Sequence, residues 1–135
     1  MRILTFKKVL LIIISLVLVL LCVQQNIYRQ QEEECKKVLS SAIVAFDAYQ
    51  LTLSYDEYDK CLNSYGSFIE IYSKTICCNN VHLRTMIQAH AKAFYSMPGS
   101  LTSEELDLFY NGLEEYMNDL NSATAHSYMI KFVNY

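Results

Sequence analysis

"KKVLLIIISLVLVLLCVQQNIYRQQEEECKK", residues 7–37, passes from an apolar run into a highly charged stretch with no glycine or proline in between. From Val9 to Val23 every residue is apolar except Ser15, and Arg2, Lys7 and Lys8 precede the run. Bases followed by an apolar run are the layout of a secretory signal or a signal anchor. Three readings compete. Cleavage by signal peptidase needs small residues three and one before the cut, and Leu20, Leu21, Cys22, Val23, Gln24 and Gln25 offer no such pair. A lipid-modified cysteine of the bacterial kind needs a small residue before it, whereas Leu21 precedes Cys22. The third reading is a helix that stays in the membrane. From Val9 to Val23 the rise is about 22 Å, short of a hydrocarbon core of roughly 30 Å. Ile3, Leu4 and Phe6 extend the apolar length if Lys7 and Lys8 snorkel to the headgroups, and Ile27 and Tyr28 then fall at the far interface. The sequence thus predicts a single membrane anchor, residues 1–23, spanning from Val9 to Val23. The bases hold the N-terminus in the cytoplasm, and residues 24–135 form an extracytoplasmic helical domain.

The rest of the composition agrees with helices. Among 135 residues there are three glycines and one proline, few for a chain of loops and hairpins, while eleven tyrosines and six phenylalanines can fill a core. The net charge is −3, and the first eight residues hold three bases and no acid, so the remainder carries −6. That balance excludes the basic patch of a nucleic-acid binder.

Beyond Gln24 the apolar residues recur at helical spacing. Cys35, Leu39, Ala42, Phe46, Tyr49 and Leu53 make a heptad seam, so the membrane helix is expected to continue as one rod to about Leu53. "SYDE" at 54–57 reads as a capping box opening a second helix, whose seam is Tyr58, Leu62, Tyr65, Ile69, Tyr72 and Ile76. Asn79 or Asn80 can cap a third helix with Leu83, Ile87, His90, Phe94 and Met97 on its seam. "MPGS" breaks that helix, and "TSEE" at 102–105 is a second capping box. The fourth helix is expected to run to about Phe132, carrying Leu106, Phe109, Leu113, Tyr116, Leu120, Ala123, Ser127 and Ile130. The predicted fold is all-α: an N-terminal transmembrane helix continuing into an antiparallel four-helix bundle, with stacked helical hairpins as the rival arrangement. In the bundle the C-terminal "MIKFVNY" returns to the level where the first helix enters, either as ordinary packing or in contact with the membrane.

Few residues suggest chemistry. Glu32, Glu33 and Glu34 pair with Lys36 and Lys37 at helical spacing and read as a solvated face. The acids of "YDEYD" at 55–59 suit a helix N-terminus and lack calcium-loop spacing. No HExxH, nucleophile signature or glycine-rich phosphate loop is present, so no catalytic set and no cofactor is expected. His90, on an apolar seam, reads as a hydrogen-bonded core residue.

The cysteines are the most informative set. If the first hairpin turns near Ser54 and Tyr55, Cys35 lies level with Cys77 and Cys78, so a disulfide from Cys35 to Cys77, or to Cys78, is expected outside the cytoplasm. Cys61 stays a thiol. The same level also gathers Cys35, Cys77, His82 and His126, two sulfurs and two imidazoles of the kind that suit tetrahedral zinc. The expected function is a non-enzymatic one: a membrane-anchored helical protein that binds another protein outside the cytoplasm, as an adaptor, an envelope-complex subunit or an immunity-type binder. The alternative is a metal-binding or thiol-redox protein built on the cysteine–histidine layer.

Overall fold

The computed structural model describes residues 2–96 and 98–135, with Pro98 through its backbone alone. Its described residues are helical: α1 (Arg2–Thr52), α2 (Tyr55–Ser73), α3 (Asn80–Tyr95), α4 (Ser103–Asn118) and α5 (Ala123–Val133), with a single 3₁₀ turn at Pro98–Ser100. The chain divides into two units, Met1–Gln30 and Gln31–Tyr135.

The first unit is the apolar part of α1. Val9–Val23 is exposed along its whole length. The most apolar eighteen residues have a mean hydropathy of 2.8 and none of them is buried. One helix near the N-terminus is therefore long and apolar enough to cross a membrane, the composition also of a signal sequence.

The second unit has one aromatic core. On α1 the seam Cys35, Leu39, Ala42, Phe46 and Tyr49 is buried as the heptad spacing predicts. Leu53 is not: the helix ends at Thr52, and Leu53 takes a left-handed φ of 55° with its side chain 70% exposed. Ser54 opens α2 without a side-chain capping bond, so the expected capping box at 54–57 does not close. The box at Thr102 does: Thr102 Oγ1 accepts from Glu105 N, and Glu105 Oε1 accepts from Thr102 N.

On α2, Tyr58, Cys61, Leu62, Tyr65, Phe68 and Tyr72 are buried. The helix stops at Ser73, before Ile76, the last residue of its expected seam. There Ser73 Oγ and Thr75 Oγ1 donate to the carbonyls of Glu70 and Tyr72, the competition that ends helices at hydroxyl residues. Ile76 consequently falls off the seam and is exposed.

The third seam lies on a different face from the one expected. Its buried residues are His82, Thr85, Met86, Ala89 and Ala93. Ile87 and Phe94 are exposed and Leu83 is half-buried, while Met97 lies outside the described residues. The small Ala89 and Ala93 face inward beside Met86, while the larger Ile87 and Phe94 are turned out. His90 is a hydrogen-bonded, part-buried residue, its Nε2 3.1 Å from the Leu62 carbonyl.

The fourth helix is two helices. In the turn after Asn118, Asp119 Oδ1 accepts from Asn121 N and Ser122 Oγ accepts from Ala125 N, so "DLNS" ends one helix and caps the next. The turn resets the helical phase. Ala123, Ser127 and Ile130 face out, and Ala125, Met129 and Phe132 face in.

Cross-helix contacts give the directions. Tyr58 Oη donates to Ala93 O and Tyr65 Oη to Met86 O, so α2 and α3 run antiparallel. Gly112 abuts Met129, and Phe109 lies 5.2 Å from Phe132 by ring centroid, so α4 and α5 are antiparallel too. His82 meets His126, and Lys92 Nζ donates to Phe132 O at 2.5 Å, so α3 and α5 are parallel. The C-terminus therefore does not return to the Cys35 level as expected. It ends beside the start of α4, where Tyr135 Oη bonds the Glu104 carboxylate. Met129 and Phe132 are core residues, so part of "MIKFVNY" is ordinary packing.

Candidate functional site

Two regions of the helical domain combine unusual exposure or unusual burial. The first is the histidine end, where α2 hands over to α3 and α4 to α5. The Tyr72 hydroxyl organises it, donating to Asn121 Oδ1 at 2.5 Å and accepting from Asn79 N at 2.9 Å. Asn121 Nδ2 donates to Cys77 O, and Gln31 Oε1 accepts from Ile76 N, which ties the α2–α3 connection to α1. Asn79 caps α3 by accepting from Val81 N and His82 N. His82 thus sits in the first turn of α3, and His126 in the first turn of α5 after its Ser122 cap. Their imidazoles stack with centroids 4.4 Å apart and planes 6° from parallel. The sequence placed the two histidines at one level, and they meet there, although by way of the Asp119–Ser122 turn rather than one long helix.

The remaining expectations for this layer are corrected. All five cysteines are free, and no pair lies at disulfide distance, so the expected Cys35–Cys77 or Cys35–Cys78 bond is not made. The reason is the early end of α2. Cys77 lies in the irregular α2–α3 connection and is exposed, whereas Cys35 is sealed in the α1 seam. Among the described residues no three His, Cys, Asp or Glu side chains gather as a metal set, so Cys35 and Cys77 do not join His82 and His126. Face-to-face stacking is also wrong for sharing an ion, because the nitrogen lone pairs lie in the ring planes and run side by side. Thiol chemistry is suppressed at the buried positions. Burial, with help from Glu34 and Glu32, pushes Cys35 up to about 11, and burial pushes Cys61 up to about 12. Both stay protonated at neutral pH and are poor nucleophiles.

The second region is the Leu53 end, where α1 turns into α2 beside the end of α3. Leu51 is 87% exposed, Leu53 70%, Tyr55 63%, Phe94 62% and Tyr95 83%. The Tyr58–Ala93 bond holds α2 and α3 together here. An open cleft of about 390 Å³ lies in the turn, lined by Tyr49, Leu53, Ser54, Tyr55, Asp56 and Gly99. The left-handed backbone at Leu53 is of the kind glycine or asparagine usually supplies at a helix end, and a leucine there costs about 1 kcal/mol. Neither burial nor local conformation asks for leucine at this position. Periodicity could not reveal this surface, since it assigned Leu53 and Phe94 to the core.

No family model, characterised protein or solved structure matches the chain.

Proposed function

We propose that the protein is a single-pass membrane protein with a cytoplasmic N-terminus and a helical domain, residues 24–135, outside the cytoplasm, acting by binding another protein rather than as an enzyme. The roles that suit it are those of an adaptor, an envelope-complex subunit or an immunity-type binder. In this reading the second-unit part of α1 with α2, α3 and α4 makes the antiparallel four-helix bundle, and α5 is a fifth strut laid along α3 and α4. The anchor is supported by the exposed Val9–Val23 run after Lys7 and Lys8, which favours cytoplasmic retention of the N-terminus.

The observation that carries the binding role is the exposed apolar surface at the Leu53 end. Aromatic and leucine side chains gathered at one end of a domain mark association sites when they are not needed for packing. A photo-cross-linking amino acid at Phe94 or Leu53 in native membranes is expected to trap a discrete partner band. The same probe at Val44, exposed outside this surface, should not. Equal trapping at all three positions, or none at any, would overturn the binding role of this end.

A further inference from the structure

The histidine end holds a feature the binding reading does not use. Neither His82 Nδ1 nor His126 Nδ1 has a hydrogen-bond partner in the chain, and both atoms are buried. Buried ring nitrogens are nearly always bonded, because an unpaired one forfeits its interaction with water. Here two unpaired ones share a single stack. We propose that the His82–His126 stack is an acid-sensitive latch that holds α5 to α3 while both rings are neutral and lets α5 go in mildly acidic surroundings.

Four physical facts support the latch. Protonation at either Nδ1 would create a charged N–H donor in a buried place with no acceptor, which costs more than the bare nitrogen does. Each ring lies in the first turn of its helix, where the macrodipole opposes positive charge. Two charged rings at this separation would repel one another. Burial first, and His126 second, hold the His82 imidazole below its ordinary value, with Asp119 pulling weakly the other way.

The surroundings supply no competing switch. From the α4–α5 turn Asp119 is the acid that acts on His82. From α1 this end has the acids Glu34 and Glu32, which act on Cys35, and Cys35 itself; α2 adds Tyr72 and α4 adds Tyr116, the thiol and both phenols raised by burial, and Cys78 of the α2–α3 connection is raised too. Cys77, Lys74 and Arg84 lie exposed to solvent. Histidine is the side chain whose charge ordinarily changes between pH 5 and 8. The sign follows. A base depressed in the folded state contributes stability that is present above its unfolded value, about 6.5, and is lost as pH falls below it. The element at stake is short: α5 has eleven residues and rests on α3 and α4 through Ala125, Met129 and Phe132.

The test is amide hydrogen exchange of the full chain in nanodiscs at pH 7.5 and 5.5, corrected for the intrinsic pH dependence of exchange. Protection of α5 is expected to fall at least tenfold at pH 5.5 relative to α2. In the double variant His82→Phe, His126→Phe, whose rings stack but do not titrate, the drop should vanish. Equal protection of wild-type α5 at both pH values, or an unchanged drop in the variant, would overturn the proposal. Should the double variant not fold, the imidazole titrations of the wild-type chain by NMR decide. A His82 midpoint below about 6.5 supports the latch, and one at or above it refutes it.

Discussion

Lys92 Nζ stands 2.8 Å from Glu105 Oε2 and binds three helices at once. It reaches from the last turn of α3 to the first turn of α4, donates to the Phe132 carbonyl on α5, and lies 4.8 Å from the centre of the Phe132 ring. Both side chains are largely buried, so the pair is not one of the solvent-screened bridges that contribute little. Lys92→Met is expected to cost about 2–3 kcal/mol, because it leaves the Glu105 carboxylate buried without its partner. Chemical denaturation of the full chain in detergent checks this.

The same pair sets a limit toward acid. The Lys92 hydrogen bond, followed by the Thr102 bonds, holds Glu105 below the usual carboxylate range. A depressed acid contributes stability that is complete above its unfolded value, near 4.3, and is lost as pH falls through the folded one. Glu105→Gln should therefore lower stability at pH 7 and flatten its decline below pH 4. Denaturation midpoints across pH 2.5–7 measure it, and a variant as steep as the wild type would contradict the assignment.

Gly112 packs without a side chain against Met129. A Cβ there would lie 2.7 Å from Met129 Cε and 3.2 Å from its Cγ. Met129 is fully buried, so its inner atoms have little room to move. Gly112→Val is expected to destabilise by roughly 1–3 kcal/mol through overpacking. The double variant Gly112→Val, Met129→Ala should recover part of that loss, a coupling readable in a double-mutant cycle.

Phe46 and Ile87 were both expected on seams, and only Phe46 is buried. Phe46 is fully buried, in ring contact with Tyr49, Phe109 and Tyr110, and Phe46→Ala should cost roughly 3–5 kcal/mol. Ile87 is 51% exposed, and Ile87→Ala should stay below about 1 kcal/mol. Thermal melts of both variants distinguish the two faces.

Leu53→Gly is expected to relieve the left-handed backbone. It should leave the domain as stable or up to about 1 kcal/mol more so, while weakening the cross-linking proposed for this end. A variant that loses stability without losing cross-linking would mean that Leu53 serves the fold.

The proposed anchor is checked by intact mass. The mature chain should keep Met1–Val23, and a species beginning between Cys22 and Gln30 would mean that the apolar run is cut away.

Legibility followed the strength of the local signal. The α1 seam, the Thr102 capping box and the Asn79 cap were all readable, because heptad spacing and cap chemistry act within a few residues. The α3 face was not, since Ala89 and Ala93 carry little hydrophobic weight and only neighbouring helices decide that they face inward. The Asp119–Ser122 turn had a signal, Asp, Asn and Ser in four residues, but a continuous apolar spacing through Leu120 and Ala123 masked it. The meeting of His82 with His126 was legible as a level and not as a contact, because ring orientation depends on where α5 begins.

The parallel pairing of α3 with α5 has a consequence for how the chain matures. Phe132, on the last helix described, fills a core that also contains Phe46 and Phe109. That core stays unfilled until α5, made after α1 to α4, has been synthesised and laid against α3 and α4. A premature stop that removes α5 would therefore leave the inner faces of α3 and α4 open, and such a product belongs to the proteases that clear unfinished proteins.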